Sequence, residues 1–548
     1  MQKPWLKSYP KGVPEEISLG KYTSIPSFLE EVFQNFKNDP AFSNFGTIIT
    51  FSQVDELSNT FAAHLQSIGM VKGDRIALMM PNILQYPIAL FGALKAGLIV
   101  VNINPLYTAR ELQYQLADSG AKAIVIYANS GHVLESVVDR TEIKHIFITQ
   151  IGDLLTFPKS FLINFVLKYI KKMVPKFNLP GAVSFTETIK GDKNFKPVEI
   201  NLEDTAFLQY TGGTTGVSKG AILTHKNIVA NLTQAKEWLG DLTKIKHIVF
   251  TPLPLYHIFS LTANCFALSS VGALNVLITN PKDMPSFIKE LKKWKFTAIT
   301  GVNTLFNGLM NNPEFETVDF SHLKVSLGGG MAVQRDTATR WKKITGCTLV
   351  EAYGLTETSP AACMNPMDLK DFNGKIGLPI SSTIVSIKDD NGIDLPYGNS
   401  GEICIKGPQV MKGYWNRPEE TAKAFTKDGF FRSGDIGIMD TEGFVKIVDR
   451  KKDMIIVSGF NVYPNEIEDV LCMHPKIFEC AAIGVPDEKT GETVKVFIVK
   501  RDSSLTENEV SEFAIKNLTN YKRPKIIEFR KDLPKSPVGK ILRKDLRV

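Results

Sequence analysis

At 548 residues, with 43% hydrophobic and 22% charged residues, the chain has the composition of an ordinary globular protein and not of a disordered or fibrous one. A single hydrophobic core stops growing at roughly 250–300 residues, so at least two domains are expected. The formal net charge of +7 is mild for this length. It suits anionic partners such as nucleotides or lipid headgroups but lacks the concentrated basic arm of a nucleic-acid binder, so no nucleic-acid partner is expected.

The six cysteines, Cys265, Cys347, Cys363, Cys404, Cys472 and Cys480, are scattered without CxxC spacing. That argues against a disulfide framework or a zinc site and for a reducing, cytoplasmic compartment. The opening MQKPWLKSYPKG has no apolar stretch after its lysines, so no secretory signal is expected. No run of about 18 apolar residues predicts a membrane-spanning helix.

In chain order, Ser52 and Asp55 read as a capping-box-like start for a helix carrying Val54, Leu57, Phe61 and Leu65. A β-like run follows at 75–80, a helix at 88–95 and a strand at 98–103. A helix from Thr108 and a strand at 123–127 continue the series. Strand–helix alternation predicts a parallel α/β sheet with helices on its faces, and a similar alternation resumes between 245 and 350.

Residues 157–178 stand apart. Phe161, Leu162, Phe165, Val166 and Ile170 recur at roughly helical spacing beside Lys168, Lys171 and Lys172. Two arrangements fit: an amphipathic basic helix lying on an anionic membrane surface, or a surface helix packing on its own domain.

After about 380, runs at 402–406 and 444–448 between Gly-, Pro- and Asp-rich turns predict a smaller β-rich layer. The charged run 449–453 reads as a linker, which puts a domain boundary near 450. The final hundred residues mix strands (481–485, 494–499) with helices (465–471, 507–517). No internal repeat is visible.

Four segments carry candidate chemistry. The first, Tyr210-Thr-Gly-Gly-Thr-Thr-Gly-Val-Ser-Lys-Gly220, follows an apolar run. Its glycines allow backbone N–H groups to approach an anion, its threonines offer hydroxyls and Lys219 offers charge. A Walker loop is disfavoured, because Gly220 and not Ser or Thr follows the lysine. In the second, Glu351-Ala-Tyr-Gly-Leu-Thr-Glu-Thr358, Tyr353 could stack on a purine, Thr356 could bond a phosphate and Glu357 could bind Mg²⁺. In the third, Phe431-Arg-Ser-Gly-Asp435, an acid in a tight turn could accept bonds from ribose hydroxyls. The fourth, Pro534-Lys-Ser-Pro-Val-Gly-Lys-Ile-Leu-Arg543, presents Lys540 on an extended loop. Each alone is also readable as an ordinary loop, turn or solvated charge; their combination and order are not.

Together these segments resemble the adenylate-forming superfamily of acyl-CoA synthetases, peptide-synthetase adenylation domains and beetle luciferases. The resemblance spans nearly the whole chain. Met80-Pro-Asn-Ile-Leu-Gln-Tyr86, Pro254-Leu-Tyr-His-Ile-Phe259, Thr300-Gly-Val-Asn-Thr304 and the stretch from Asp449 through Gly459 to Pro464 bring it nearest the bacterial long-chain fatty acyl-CoA synthetases. It implies a large N-terminal adenylation domain (1–450) of stacked α/β sheets with a β-rich subdomain, and a small mobile α+β C-terminal domain (451–548).

It further implies that Thr211, Gly212, Gly213, Thr214, Thr215, Gly216 and Lys219 hold the ATP phosphates. Gly212 stands where much of the superfamily has serine. Gly328, Gly329 and Gly330, with Glu351, Ala352 and Tyr353, would form the adenine slot, and Asp435 and Arg450 would hold the ribose. Thr356 would contact the α-phosphate, Glu357 would bind Mg²⁺ and Lys540 would bridge the carboxylate and α-phosphate. Tyr256, His257 and Val302 would border the acyl pocket, Lys452 would be the hinge and Gly459 would line the coenzyme A channel.

The implied reaction is ATP-dependent activation of a long-chain fatty acid to acyl-AMP and its transfer to coenzyme A. Two alternatives stay open: an acyl-AMP ligase that loads a carrier protein, which is set second because no obvious insertion stands near the domain boundary, and a ligase for an aryl or other acid, which shares every catalytic motif. A protein that only binds or takes up acyl lipid is disfavoured by the intact Lys540, Glu357 and Asp435. The expected location is cytoplasmic, with peripheral contact to the inner membrane face open through 157–178. A homodimer is among the assemblies open to such a chain.

Overall fold

Two large sheets, a four-stranded layer and a small C-terminal sheet make up the architecture of the computed structural model, which describes residues 3–211, 218–458, 460–487, 489–537 and 539–547. The first large sheet runs, in spatial order, through strands 413–414, 219–224, 205–211, 99–102, 75–79, 123–127, 145–149 and 183–184. Its inner strands pair in parallel, with Ala77 opposite both Val101 and Ile124. Helices cover both faces of these strands, which is why Ile99–Asn102 and Ala123–Tyr127 are unbroken buried runs and do not alternate.

The second large sheet is ordered 378–379, 361–364, 349–354, 325–328, 298–301, 248–251, 274–277, 40–44 and 47–50. A helical layer joins the two sheets. All eleven residues of Gln85–Lys95 are buried. One core cluster runs from Phe42 on the second sheet through Phe61, Phe91 and Phe266 to Phe147 and Phe207 on the first. The strands 384–388, 401–406, 431–439 and 445–450 form the antiparallel β-rich layer. Beyond it, Ile455, Val457, Ile467, Leu471, Val496, Ile498 and Val510 belong to a separate core built from residues 455 to 518. The fold is thus the expected mixed α/β class.

One local expectation needs correction, and two segments show what local sequence left open. The helix Phe51–Ser67 is capped by Thr50, whose side chain accepts the Gln53 N–H while Gln53 returns to the Thr50 N–H. Thr50 is extended, as an N-cap must be, whereas Ser52 and Asp55 already lie inside the helix.

The run 449–453 leads from the strand Val445–Arg450 toward Ile455–Val457, with Lys451 and Lys452 exposed but its two aspartates enclosed. Asp449 is fully buried, and Arg543 stands 3.7 Å from it and 3.4 Å from Asp453. The counter-ion comes from some ninety residues away, so local sequence could not reveal it.

The segment at 157–178 forms a short helix, Lys159–Phe165, continued in wider turns over Val166–Ile170. Ile163 and Leu167 pack on the main core, so one side does dock on its own domain. The other side stays uncovered: Phe157 is 86% exposed, Phe161 64% and Ile170 65%.

Candidate active site

The site lies where strands of the second large sheet end. Val325–Gly328 and Leu349–Gly354 run parallel, with Gly328 paired to Glu351. Their ends deliver Gly329 and Gly330 on one side and Ala352 and Tyr353 on the other. A Cβ on Gly329 would stand 3.1 Å from the Ala352 carbonyl oxygen and 3.1 Å from the Phe259 ring, and Gly330 adopts a φ of +74°. Only glycine leaves this slot open. Beneath it, Glu351 accepts the Val333 N–H at 2.9 Å. Burial nevertheless pushes its carboxyl up to about 8, and the nearby Asp469 adds to the effect.

The β-rich layer supplies the second wall. Asp435 and Arg450 face each other across paired strands, with Arg450 Nε 3.1 Å from Asp435 Oδ1. The Tyr353 hydroxyl donates to the other carboxylate oxygen at 2.7 Å. Asp435 is therefore locked in orientation while keeping lone pairs for further donors. The family resemblance placed Tyr353 and Asp435 in one site, but their mutual bond required the fold.

Glu357, just past the end of Leu349–Gly354, is 8% exposed and accepts the Tyr414 hydroxyl at 2.8 Å. Burial raises its carboxyl above the ordinary range. The Tyr414 ring also lies under Lys219 Nζ, 5.3 Å away, and Lys219 is ion-paired with Glu420. Sequence reasoning did not find Tyr414 or Glu420. The available signal was the compact Gly413-Tyr-Trp-Asn-Arg-Pro-Glu-Glu420, whose first residues pair with the strand that starts at Lys219.

Lys540 enters from the C-terminal region. Desolvation, with Arg450 beside it, pushes its ammonium down to about 7, and Asp435 opposes the shift. His257, next to it, is held down to about 4 by burial and by the Lys540 charge, so the imidazole is neutral at pH 7. Its Nδ1 accepts the Phe259 N–H at 3.3 Å, which caps a short turn of helix.

One cavity of about 1180 Å³ brings these groups together. Its wall includes Thr211, Lys219, Tyr256, His257, Gly329, Gly330, Glu351, Ala352, Tyr353, Thr356, Glu357, Asp435, Arg450, Lys452 and Lys540. Gly328 and Val302 are buried but are not on its surface. Gly212, Gly213, Thr214, Thr215, Gly216 and Gly459 lie outside the described residues.

Among the described residues no cluster of three or more His, Cys, Asp or Glu could hold a metal ion. Glu357 offers a single buried carboxylate. That donor set fits Mg²⁺, which binds through one or two carboxylates together with substrate phosphates and keeps several waters.

Comparison with known proteins gives a consistent assignment. The AMP-binding enzyme model matches residues 29–415, and the AMP-binding enzyme C-terminal domain model matches residues 466–540. A long-chain-fatty-acid–CoA ligase of Escherichia coli O6:H1 is 55% identical over 100% of this chain and 98% of its own length. A long-chain-fatty-acid–CoA ligase of Bacillus subtilis is 41% identical over the same shares. Among solved structures, ATP-bound MatB of Rhodopseudomonas palustris superposes with a TM-score of 0.82 at 27% identity, over 95% of this chain and 98% of that one. With its glycine slot, its locked aspartate and a lysine delivered from the C-terminal region, the chain belongs to the adenylate-forming superfamily of AMP-binding enzymes.

Proposed function

We propose that the protein is an AMP-forming long-chain fatty acid–CoA ligase. The observation that carries this reading is Lys540, which stands in one cavity with Asp435, Arg450 and Glu357 although it comes from beyond the separate core of residues 455 to 518. End-to-end identity with curated long-chain-fatty-acid–CoA ligases supports the substrate class.

The first step joins two anions, so it needs positive charge and alignment more than proton transfer. A carboxylate oxygen attacks the α-phosphorus of ATP as the bond to pyrophosphate breaks. Lys540 and Lys219 supply cationic charge at the reacting and leaving ends. Asp435 accepts the ribose hydroxyls, held for that task by Tyr353 and Arg450. The glycine slot beside Ala352 takes the adenine. Glu357 would hold Mg²⁺, which when bound neutralises phosphate charge. Thr356, on the same turn, faces the α-phosphate.

In the second step the sulfur of coenzyme A attacks the acyl carbon, AMP leaves with the bonding pair and the thiol proton passes to solvent. No nucleophilic side chain is needed, because AMP is already a good leaving group. Lys540 fills the space the thiol must use, so the C-terminal region has to move. We assign the boundary of the two domains near residue 450, the hinge to Lys452 and the thiol channel to the neighbourhood of Gly459. Tyr256 and His257 border the acyl chain. The neutral His257 suits that place, since an apolar tail disfavours a charged neighbour.

The uncovered side of 157–173 supports peripheral contact with an anionic membrane. Residues 154–186 contain Lys159, Lys168, Lys171, Lys172 and Lys176 and no acidic residue. Apolar side chains rimmed by lysines match the chemistry of a headgroup boundary, and such contact brings the site to a bilayer-dissolved substrate. No helix among the described residues is long and apolar enough to cross a membrane.

The test is a coupled assay with ATP, Mg²⁺, coenzyme A and acids from acetate to oleate, following AMP and thioester separately. The two rising together with long acids is the expected result. Adenylate without thioester would assign a carrier-protein acceptor, and turnover confined to aryl acids would remove the fatty-acid reading.

A further inference from the structure

The turn that carries Lys540 is closed mainly on itself. The Ser536 N–H donates to the Lys540 carbonyl at 2.7 Å and the Gly539 N–H to the Ser536 carbonyl at 2.9 Å. The Lys540 N–H donates to Ser536 Oγ at 3.1 Å. Flanking side chains tie it to the C-terminal region: Lys535 Nζ bonds Glu479 at 2.6 Å, and Arg543 reaches Asn465 and Glu468 at 2.5 and 2.7 Å.

Toward the large body the attachment is slight. Among the described residues, one hydrogen bond joins residues 534–542 to anything before residue 449. Thr304 Oγ1 donates it to the Gly539 carbonyl at 3.0 Å.

The surroundings make that contact specific. Thr304 lies in the first turn of Asn303–Met310, directly after the strand Ala298–Gly301, so a rigid strand end places its hydroxyl. On the other side, Gly539 has a φ of +81°. A Cβ there would stand 2.6 Å from Thr304 Oγ1 and 3.3 Å from Val302. The turn therefore seats against this strand end closely, and only with glycine at its tip.

We propose that Thr304 is a positioning residue for Lys540: its hydroxyl seats the 536–540 turn in the cavity for acid activation and releases it for thiol entry. The inference rests on the assignment of Lys540 above. A single neutral hydrogen bond suits the task, because the same contact must form and break once per turnover. An ion pair in its place would hold the lysine in the space the thiol needs.

Thr304→Val tests this, since it keeps the branched shape and removes the donor; Thr304→Ser and Lys540→Ala are run beside it. ATP–pyrophosphate exchange with a long-chain acid reads the first half-reaction. Thioester formation from supplied acyl-AMP and coenzyme A reads the second. We expect the valine variant to lower the exchange kcat roughly three- to tenfold, the range one hydrogen bond accounts for, with KM for ATP nearly unchanged. Thioester formation from acyl-AMP stays at the wild-type rate, and serine restores exchange. Amide hydrogen exchange at Gly539 and Lys540 in nucleotide-free protein should quicken with valine and recover with serine.

Equal loss of both half-reactions, or a valine variant indistinguishable from wild type in exchange, overturns the role of Thr304. Lys540→Ala separates the two readings. If it abolishes exchange while valine has no effect, only the Thr304 inference falls; if it spares exchange, both fall.

Discussion

Two regions of this protein invert the usual rule of burial, in opposite senses. Around Lys540, ionisable groups are enclosed: Asp449 is fully buried, Asp435 is 4% exposed and Glu357 8%. Along 157–173, apolar groups face outward, with Phe157 at 86% and Tyr169 at 60% exposure. The first region resolves the cost of burial internally, through Asp435–Arg450, Tyr353–Asp435 and Tyr414–Glu357. The second leaves its apolar surface unresolved within the chain. Enclosed charge suits a reaction between anions, where water would weaken every electrostatic contact. Exposed apolar surface rimmed by lysines suits a partner that is itself apolar and anionic.

The sharpest way to break the comparison is at its charged end. Lys540→Ala should lower adenylate formation by about 10²–10³-fold, the range seen when one preorganised electrostatic group is lost, while transfer from supplied acyl-AMP is largely spared. Pyrophosphate exchange and single-turnover thioester assays read the two. Equal losses would mean that the enclosed charge serves the fold and not the first step.

At the apolar end, changing Lys168, Lys171 and Lys172 together to glutamate should weaken partitioning onto anionic vesicles by at least about a hundredfold, at roughly 1 kcal/mol per lysine lost near the surface. Turnover of a water-soluble short acid should not change. Unaltered co-sedimentation would return the segment to an ordinary surface helix.

Lys452→Pro sharpens the contrast by freezing the backbone between the two arrangements. Overall thioester formation should fall by roughly tenfold or more while adenylate accumulates, because proline cannot follow a φ change at a hinge. Normal thioester turnover would place the hinge elsewhere.

The smallest expected effect is on stability against pH. Lys540 gives up its proton near pH 7 in the folded protein, against an ordinary value of 10.5. Between those values the unfolded chain holds the proton and the folded chain does not. Stability from this group is therefore lowest below pH 7 and rises as pH increases toward 10.5. Wild-type Tm should gain on that of Lys540→Met by roughly 1–2 °C between pH 7 and 9 in the absence of nucleotide. A constant difference would mean that the ammonium is not desolvated in this arrangement.

Much of the fold was legible from pattern. The run at 75–80 became the strand Arg75–Met79, the helix from Thr108 is capped by that residue, and 123–127 was placed without error. Apolar runs of β-branched residues and helical periodicity are local signals, and burial on both faces amplifies them. The site roles came from the resemblance carried by four motifs in order, since each motif alone also reads as an ordinary loop or turn. Tyr414 and Glu420 were not found, since their partners Glu357 and Lys219 lie 57 and 201 residues away. The enclosure of Asp449 and Asp453 was not legible for the same reason.

By itself, then, the sequence determined the class of elements, the adenylate-forming motifs and the types of charge available, all of which are set by spacing and side-chain chemistry within a few residues. Only the tertiary structure decided which charges are enclosed, which hydroxyl holds which carboxylate and which apolar side chains find no cover. Those depend on long-range closure: Arg543 reaches Asp449, and Thr304 meets Gly539 across 235 residues, only after the sheets and the C-terminal region have packed.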